Sequence, residues 1–131
     1  MILMKQQSKH VYDIIKENPK LQTVNVGWAT FKIIFKKGLK SGSQNCWGTC
    51  DFDTYEIHLE EKITDEPARE TLFHEICHAF LELCGMGGEG EGEDEEYIYA
   101  SNERLTITVS RAIMMFTQLN PELAKELLCL N

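Results

Sequence analysis

The sequence has no apolar run long enough to cross a bilayer. Its longest apolar stretches, such as Phe31–Phe35 and Ile113–Phe116, are far shorter than the roughly 20 residues that a transmembrane helix needs. The first residues, Met1–Lys5, carry too short an apolar run for a secretory signal and lack a small-residue cleavage site. We therefore expect no membrane segment and a cytoplasmic location.

The chain also lacks a cysteine framework. Its five cysteines form an odd set that contains no C-x-x-C pair. An odd, unpaired set is more typical of reduced thiols than of a disulfide scaffold. We therefore expect free thiols, as in a protein that stays inside the cell.

Basic residues are scarce. The 13 lysines and arginines face 21 acidic residues, so the net charge is −8. This charge disfavours binding to nucleic acid backbones and to anionic membranes. Nucleic acid is therefore an unlikely partner, and the sequence gives no indication of the oligomeric state.

The length and composition are those of a small globular protein. The chain has 131 residues, of which 43% are hydrophobic and 26% are charged. This size is in the usual range of one domain and allows one hydrophobic core. We expect a single domain over residues 1–131, without an internal repeat or linker.

Hydrophobic periodicity predicts a strand-rich middle between helical ends. A short helix is expected over Ser8–Asn18, and strands are expected between Leu21 and Leu59. In Tyr55–Leu59 the alternation places Tyr55, Ile57 and Leu59 inward and His58 outward. Further helices are predicted from Thr64 to about Cys84, from Tyr97 to Gln118 and from Glu122 to Cys129. Residues Gly87–Glu96 are rich in glycine and acidic residues, which predicts a solvated loop.

The residues that point to chemistry are His74-Glu75-Ile76-Cys77-His78. Four residues advance a helix by about 400°, so the two imidazoles lie about 40° apart and one turn apart along the axis. They can chelate one tetrahedral zinc ion. Glu75 projects about 100° from His74, which keeps it off the metal but near a metal-bound water. The predicted apolar stripe of the helix is formed by other residues: Leu72, Ile76, Ala79, Phe80 and Leu83.

A catalytic zinc needs a third protein ligand, and Glu103 is favoured for this role. On the second long helix Glu103 shares a face with Ile107, Ser110 and Met114. The main apolar stripe of that helix is predicted to be Leu105, Val109, Ala112 and Phe116. A carboxylate between apolar flanks is costly unless it has a partner, which zinc would be.

Other assignments remain open at this stage. Glu96 and its neighbour Glu95 are alternative ligands, because Glu96 lies seven residues before Glu103 on the same helix face. Glu103 could instead be a solvated residue paired with a nearby base. Glu82, one turn beyond His78, is a candidate for lining the site.

These motifs resemble those of small gluzincin-type zinc metallopeptidases. Leu72–Leu81, Ser101–Leu105 and Asn120–Leu123 are similar to the short SprT-like and ImmA/IrrE-like zincin domains of bacteriophage and bacterial genomes. The resemblance covers about the last two thirds of the chain. Ile107 departs from the pattern, because gluzincins often carry an acidic residue four positions after the ligand glutamate.

The resemblance implies a fold, an activity and a host setting. The expected fold is α+β: a small zincin-like domain with a three- to four-stranded, mostly antiparallel sheet packed on the metal helix and a second long helix. His74, His78 and Glu103 match the zinc ligands, and Glu75 matches the catalytic glutamate. The setting would be the cytoplasm of a bacterial or phage-infected host cell.

The predicted reaction is hydrolysis of a peptide bond in a peptide or protein substrate. Glu75 would act as general base towards a zinc-activated water. The donor for the developing oxyanion is open among Tyr55, His58, Tyr97 and Tyr99. The strand Tyr55–Leu59 is a candidate for pairing with an extended substrate by strand addition, although it could equally be an ordinary sheet strand.

A non-catalytic binding protein is the competing hypothesis. In this view zinc only stabilises a fold that sequesters a host factor or mimics the charge of DNA. Six of the 21 acidic residues lie in the run Glu89–Glu96, so the negative charge is concentrated locally and supports mimicry only weakly. A purely structural zinc site would have no use for Glu75.

Overall fold

The protein is an α+β structure built on a four-stranded sheet. The computed structural model describes residues 9–83 and 95–128, and within these ranges the side chains of residues 83, 95–104, 106 and 107 are not described. The helices are α1 (Val11–Glu17), α2 (Asp65–Leu83), α3 (Glu95–Leu119) and α4 (Pro121–Leu127). The strands are β1 (Thr23–Asn25), β2 (Thr30–Lys36), β3 (Lys40–Ser41), β4 (Gln44–Asn45), β5 (Gly48–Asp51) and β6 (Glu56–Glu60).

The main sheet has the strand order β1-β2-β6-β5. Strand β2 pairs antiparallel with β1 and parallel with β6, and β5 pairs antiparallel with β6. Two of the three pairings are therefore antiparallel, which confirms the predicted α+β class with a mostly antiparallel sheet. Before β5 the chain forms a small separate hairpin, in which β3 pairs with β4.

One face of the sheet carries the core. Phe31, Ile33, Ile57 and Leu59 are buried on this face, as the period of two in a strand requires. Helix α2 packs against it with an apolar stripe, and the described members of that stripe are buried: Leu72, Ile76, Ala79 and Phe80. Each large side chain buried in this way stabilises the fold by roughly 1.5–3 kcal/mol.

Tyr55 does not take the inward position that the alternation predicts for it. The strand begins at Glu56, and Tyr55 lies in the preceding turn with a left-handed φ of 56°. The carboxylate of Asp51 organises this turn by accepting hydrogen bonds from the backbone N–H groups of Asp53 and Thr54, at 2.8 and 3.2 Å. This turn geometry interrupts the alternation, so the Tyr55 ring is partly exposed.

The apolar stripe predicted for α3 is buried only in its second half. Ala112 and Phe116 are buried, whereas Leu105 and Val109 are exposed. The Phe116 ring packs edge-on against Phe73 and Phe80 of α2. Within the described ranges these α2 rings meet α3 near its C-terminal end, and the earlier stripe residues stay exposed there.

Two polar contacts hold the helices in place. Arg69 of α2 donates to Asp65 at 3.0 Å and to both the carbonyl and the carboxylate of Glu126 in α4, each at 2.9 Å. The other carboxylate oxygen of Asp65 accepts a hydrogen bond from the N–H of Val11, at 2.6 Å. The start of α2 is therefore tied to both α1 and α4.

The outer edge of β1 is closed by a side chain. Asn120, between α3 and α4, accepts from the N–H of Asn25 and donates to its carbonyl, each at 2.8 Å. The amide thereby replaces a neighbouring strand at this position of the edge.

No helix in the described ranges has the length and apolar character needed to cross a membrane.

Replacing Asn120 by alanine is expected to destabilise the fold. The change leaves the backbone groups of Asn25 without their partner, which costs about 1–3 kcal/mol for a part-buried group. Urea denaturation should therefore give a lower midpoint for Asn120→Ala. The control is Gln118→Ala at a neighbouring exposed position, and equal midpoints for both variants would contradict this role of Asn120.

Candidate metal centre

His74 and His78 lie one turn apart on the exposed side of α2. Their Nε2 atoms are 3.0 Å apart, and their rings are inclined at 74° with centroids 4.7 Å apart. A tetrahedral zinc ion with Zn–N bonds of about 2.0–2.1 Å requires a separation of about 3.3 Å between two ligand nitrogens. The two imidazoles are therefore arranged almost as one metal ion requires.

Glu75 lies beside this pair but is turned into the protein. It is only 6% exposed, and its Oε2 atom is buried without a hydrogen-bond partner among the described residues. Burial raises the pKa of the Glu75 carboxyl, and the charges of His78 and His74 partly oppose that shift. A buried carboxylate oxygen without a partner is costly, so a missing polar partner is expected near it.

His74, Glu75 and His78 together could hold a metal ion. One potential ligand atom from each residue lies within 4.8 Å of the others. Imidazole nitrogens and carboxylate oxygens are the donors that zinc takes in catalytic sites. The orphaned Oε2 atom and the spacing of the two nitrogens both fit zinc with a bound water, so the residues present suit this metal.

The edge strand beside α2 is β5. The strand Tyr55–Leu59, a candidate for pairing with the substrate, corresponds to β6 and is not at an edge. Strand β6 lies between β2 and β5, so both of its hydrogen-bonding edges are occupied. Strand β5 is at the edge of the sheet and has no strand on its outer side within the described ranges. A chain added to the sheet at this end would have to pair with β5.

The backbone groups on the outer side of β5 belong to Gly48 and Cys50. The N–H of Glu60 donates to the carbonyl of Trp47 at 2.7 Å, and hydrogen-bonded pairs alternate along an antiparallel ladder. Thr49 and Asp51 therefore face β6 with their backbone groups, whereas Gly48 and Cys50 face outward.

Gly48 brings β5 into direct contact with the metal helix. A Cβ atom at this position would lie 2.6 Å from Cγ2 of Thr71 and 3.0 Å from Cγ of Glu75. The first distance is shorter than any real contact of this kind, so only glycine allows the strand to come this close. The absence of a side chain at Gly48 therefore sets the distance between the edge strand and Glu75.

An open groove runs between β5 and α2. It is lined by Trp47, Gly48, Glu70, Thr71, His74 and Glu75. Trp47 is 56% exposed although it adjoins the first residue of β5. No sequence pattern marks Trp47, Gly48 or Glu70 as functional, because their part in the groove depends on how β5 packs against α2. The i, i+4 spacing of Glu70 and His74 was the one available signal.

The other candidate residues are not all in this groove. His58 lies on the sheet face opposite α2, where its Nε2 atom is 3.0 Å from a carboxylate oxygen of Glu56. The Tyr55 ring packs edge-on against Phe31 and Trp28. Neither ring lines the groove, so neither is placed to act as the oxyanion donor there.

The predicted third ligand lies outside the described side chains. Glu103 is in α3, as are Glu95, Glu96, Tyr97 and Tyr99, and only the backbone of these residues is described. The predicted loop falls mostly in residues 84–94, outside the described ranges. Glu82 is exposed on α2 one turn beyond His78.

A family model described as SprT-like matches residues 6–106 of the chain. The chain belongs to the SprT-like family. No curated protein and no solved structure gave a significant match. The SprT-like match contains the whole of α2 with His74, Glu75 and His78, and it extends into α3 as far as Glu103 and three residues beyond.

Replacing Gly48 by alanine is expected to destabilise this SprT-like domain at the contact between β5 and α2. The new methyl group collides with Thr71 and presses on Glu75, and overpacking of this kind costs about 1–3 kcal/mol. Adding Thr71→Ser removes the nearer of the two colliding atoms and should recover part of the loss. Urea denaturation of the single and double variants measures both effects.

Thr49→Ala is the matched control, because Thr49 is the next residue of β5 and its side chain lies on the opposite face of the strand. A Gly48→Ala midpoint equal to that of Thr49→Ala, or a double variant no more stable than Gly48→Ala, would contradict the close approach.

Proposed function

We propose that the protein is a zinc-dependent metallopeptidase that hydrolyses peptide bonds, with Glu75 as general base. The observation that carries the proposal is the arrangement on α2. Two imidazole nitrogens lie 3.0 Å apart beside a buried carboxylate whose Oε2 atom lacks a described partner. Membership of the SprT-like family supports the same activity.

His74 and His78 would hold the metal, with Glu103 of α3 as the proposed third ligand. When bound, zinc would polarise the scissile carbonyl and lower the pKa of the attacking water towards ~7. Glu75 would accept the proton of that water and pass it to the leaving amine. Gly48 leaves little space beside the Glu75 side chain, since a Cβ atom at Gly48 would lie 3.0 Å from Cγ and 3.5 Å from Cδ of Glu75, and this crowding would favour a fixed position of the carboxylate.

The proposed substrate is an extended segment of a peptide or protein. Strand β5 borders the groove. Its outward-facing backbone groups include the carbonyl of Gly48 and the backbone of Cys50, to which an extended chain can add as a further strand, whereas the N–H of Gly48 already donates to the Cys46 thiol. Such a chain would lie between β5 and the exposed face of α2. Its backbone would then pass His74 and Glu75, which line the same groove.

The described residues favour this activity over a purely structural zinc site. A structural site is closed by four protein ligands, whereas a catalytic site keeps an open position for water. His74 and His78 are both exposed, and the groove beside them is open. A buried Glu75 whose Oε2 atom has no partner among the described residues would only cost stability in a binding protein that never uses it.

Substitutions in α2 should separate metal binding from catalysis. We expect one zinc ion per chain in the wild type and none in His74→Ala or His78→Ala, because each loses a ligand. Glu75→Gln is nearly isosteric and should keep the zinc but lose peptidase activity, since an amide cannot accept the proton. Metal analysis by mass spectrometry and a broad peptide library measure the two properties.

Circular dichroism of the two histidine variants provides the control for folding, because both histidines are exposed and their loss should leave the core intact. A zinc content of these variants equal to that of the wild type would refute the role of the histidines as ligands. Full activity of Glu75→Gln would refute the role of Glu75 as general base. Inactivity of the wild type against all peptides would instead favour the non-catalytic binding protein.

The third ligand is tested by comparing acidic residues of α3. Glu103→Ala should weaken zinc affinity by at least the roughly 10–100-fold that follows from losing even an indirect partner of a metal. The double variant Glu95→Ala/Glu96→Ala should have a much smaller effect and serves as the control. A zinc titration with the reverse order would assign the ligand to Glu95 or Glu96.

A further inference from the structure

The groove beside the metal centre has a polar end that the proposed chemistry does not use. Glu70 lies one turn before His74 on the same exposed side of α2, and Trp47, the residue before β5, lines the same groove. Glu70 is exposed and makes no hydrogen bond or ion pair with any described residue. Trp47 and Glu70 are therefore both available to a bound molecule.

The charges around this groove are mainly negative. Every charge that shifts the pKa of the two thiols flanking Gly48 is a carboxylate. The pKa of Cys46 is raised by burial and then by Glu75 and Glu60, and a hydrogen bond from Gly48 partly offsets this. Burial, followed by Glu75, Asp51 and Glu82, raises the pKa of Cys50 to about 12.

Among the described residues, those that line this groove include no lysine or arginine. Lys62 lies in the adjoining cavity, which shares Trp47, and there it acts on the carboxylate of Glu60. Arg69, the neighbour of Glu70 in sequence, is engaged with Asp65 and Glu126 on another side of the helix. Without the metal, a cation that enters the groove meets the carboxylates of Glu70 and Glu75. Bound zinc would add two positive charges at the His74 end, so the attraction for a cation would be centred on Glu70 at the other end.

We propose that Trp47 and Glu70 form a subsite for a positively charged side chain, lysine or arginine, of the polypeptide substrate. The face of an indole ring attracts an ammonium or guanidinium group, and the Glu70 carboxylate offers a charge-assisted hydrogen bond to the same group. Glu75, which is 6% exposed and whose Oε2 atom has no partner among the described residues, lines the same groove. The subsite and the proposed catalytic group thus act on one bound chain.

The spacing sets the position of this basic residue relative to the cleaved bond. Glu70 precedes His74 by four residues, which is about 6 Å along a helix axis. An extended peptide advances about 3.3 Å per residue. The basic side chain therefore lies one or two residues from the scissile bond. This inference rests on the proposed peptidase function for its substrate, and its test is a binding measurement that requires no turnover.

The test uses the full chain with Glu75→Gln, which prevents cleavage, and Trp28→Phe, which leaves Trp47 as the single tryptophan reporter. Capped alanine-based peptides carry one lysine, one norleucine or one glutamate and are titrated with and without one equivalent of zinc. We expect the lysine peptide to bind at least about 10-fold more tightly than the norleucine peptide, with a change in Trp47 fluorescence.

Adding Glu70→Gln should reduce this preference to less than about 2-fold, because the amide keeps the shape of the side chain but not its charge. Glu66→Gln is the matched control, since Glu66 is also exposed on α2 but does not line the groove. It should leave the preference unchanged. Trp47→Leu, followed by calorimetry, should weaken lysine binding without reversing the charge preference.

The outcomes separate this inference from the proposed function. Equal binding of the lysine and norleucine peptides, or equal effects of Glu70→Gln and Glu66→Gln, would overturn the subsite even if the wild type cleaves peptides. Selective lysine binding that depends on Glu70 supports the subsite even if the wild type cleaves none of them. In that case only the peptidase proposal fails.

Discussion

The candidate site depends on the close packing of the edge strand against the metal helix at Gly48. The missing side chain lets β5 approach Thr71 and Glu75 to a distance that no other residue permits. This contact buries Glu75 while the two histidines on the neighbouring positions of the helix stay exposed. One packing constraint thereby gives adjacent residues of a single helix two different environments, one suited to binding a metal and one to handling a proton.

The two edges of the sheet differ in whether their outward backbone groups are occupied by other residues, and this difference bears on the proposed function. At β1, the side chain of Asn120 occupies the backbone groups of Asn25, so a foreign strand cannot pair there without displacing it. At β5, the outward backbone groups of Gly48 and Cys50 border the groove that contains His74 and Glu75. Within the described ranges no strand covers this edge, and an uncovered edge is normally a liability for aggregation. Its position beside the candidate metal ligands supports the proposed binding of extended polypeptides.

Much of this architecture could be predicted from the sequence because it follows from local rules. The helical spacing of His74 and His78, the apolar stripe Leu72–Phe80 and the inward positions of Ile57 and Leu59 all depend on periodicity within one element. The order of strands in the sheet depends on contacts between distant segments. For this reason periodicity could not decide whether the strand Tyr55–Leu59 pairs with a substrate or is an ordinary sheet strand, and the structure encloses it between β2 and β5. The inward position predicted for Tyr55 was wrong, because Asp51 organises a turn in which Tyr55 has a left-handed φ, and this turn interrupts the alternation.

The same distinction explains why the roles of Trp47, Gly48 and Glu70 could not be found in the sequence. Each of these residues is of a common kind: a glycine at the start of a strand, an exposed tryptophan and a helical glutamate. Residues of these kinds usually have no functional role. They gain meaning only when β5 lies along α2 and the three residues share one groove with His74. In the proposed subsite the carboxylate of Glu70 would then favour basic segments of a substrate over acidic ones. Selectivity for basic segments would therefore arise from the same packing that places Glu75 beside the metal residues.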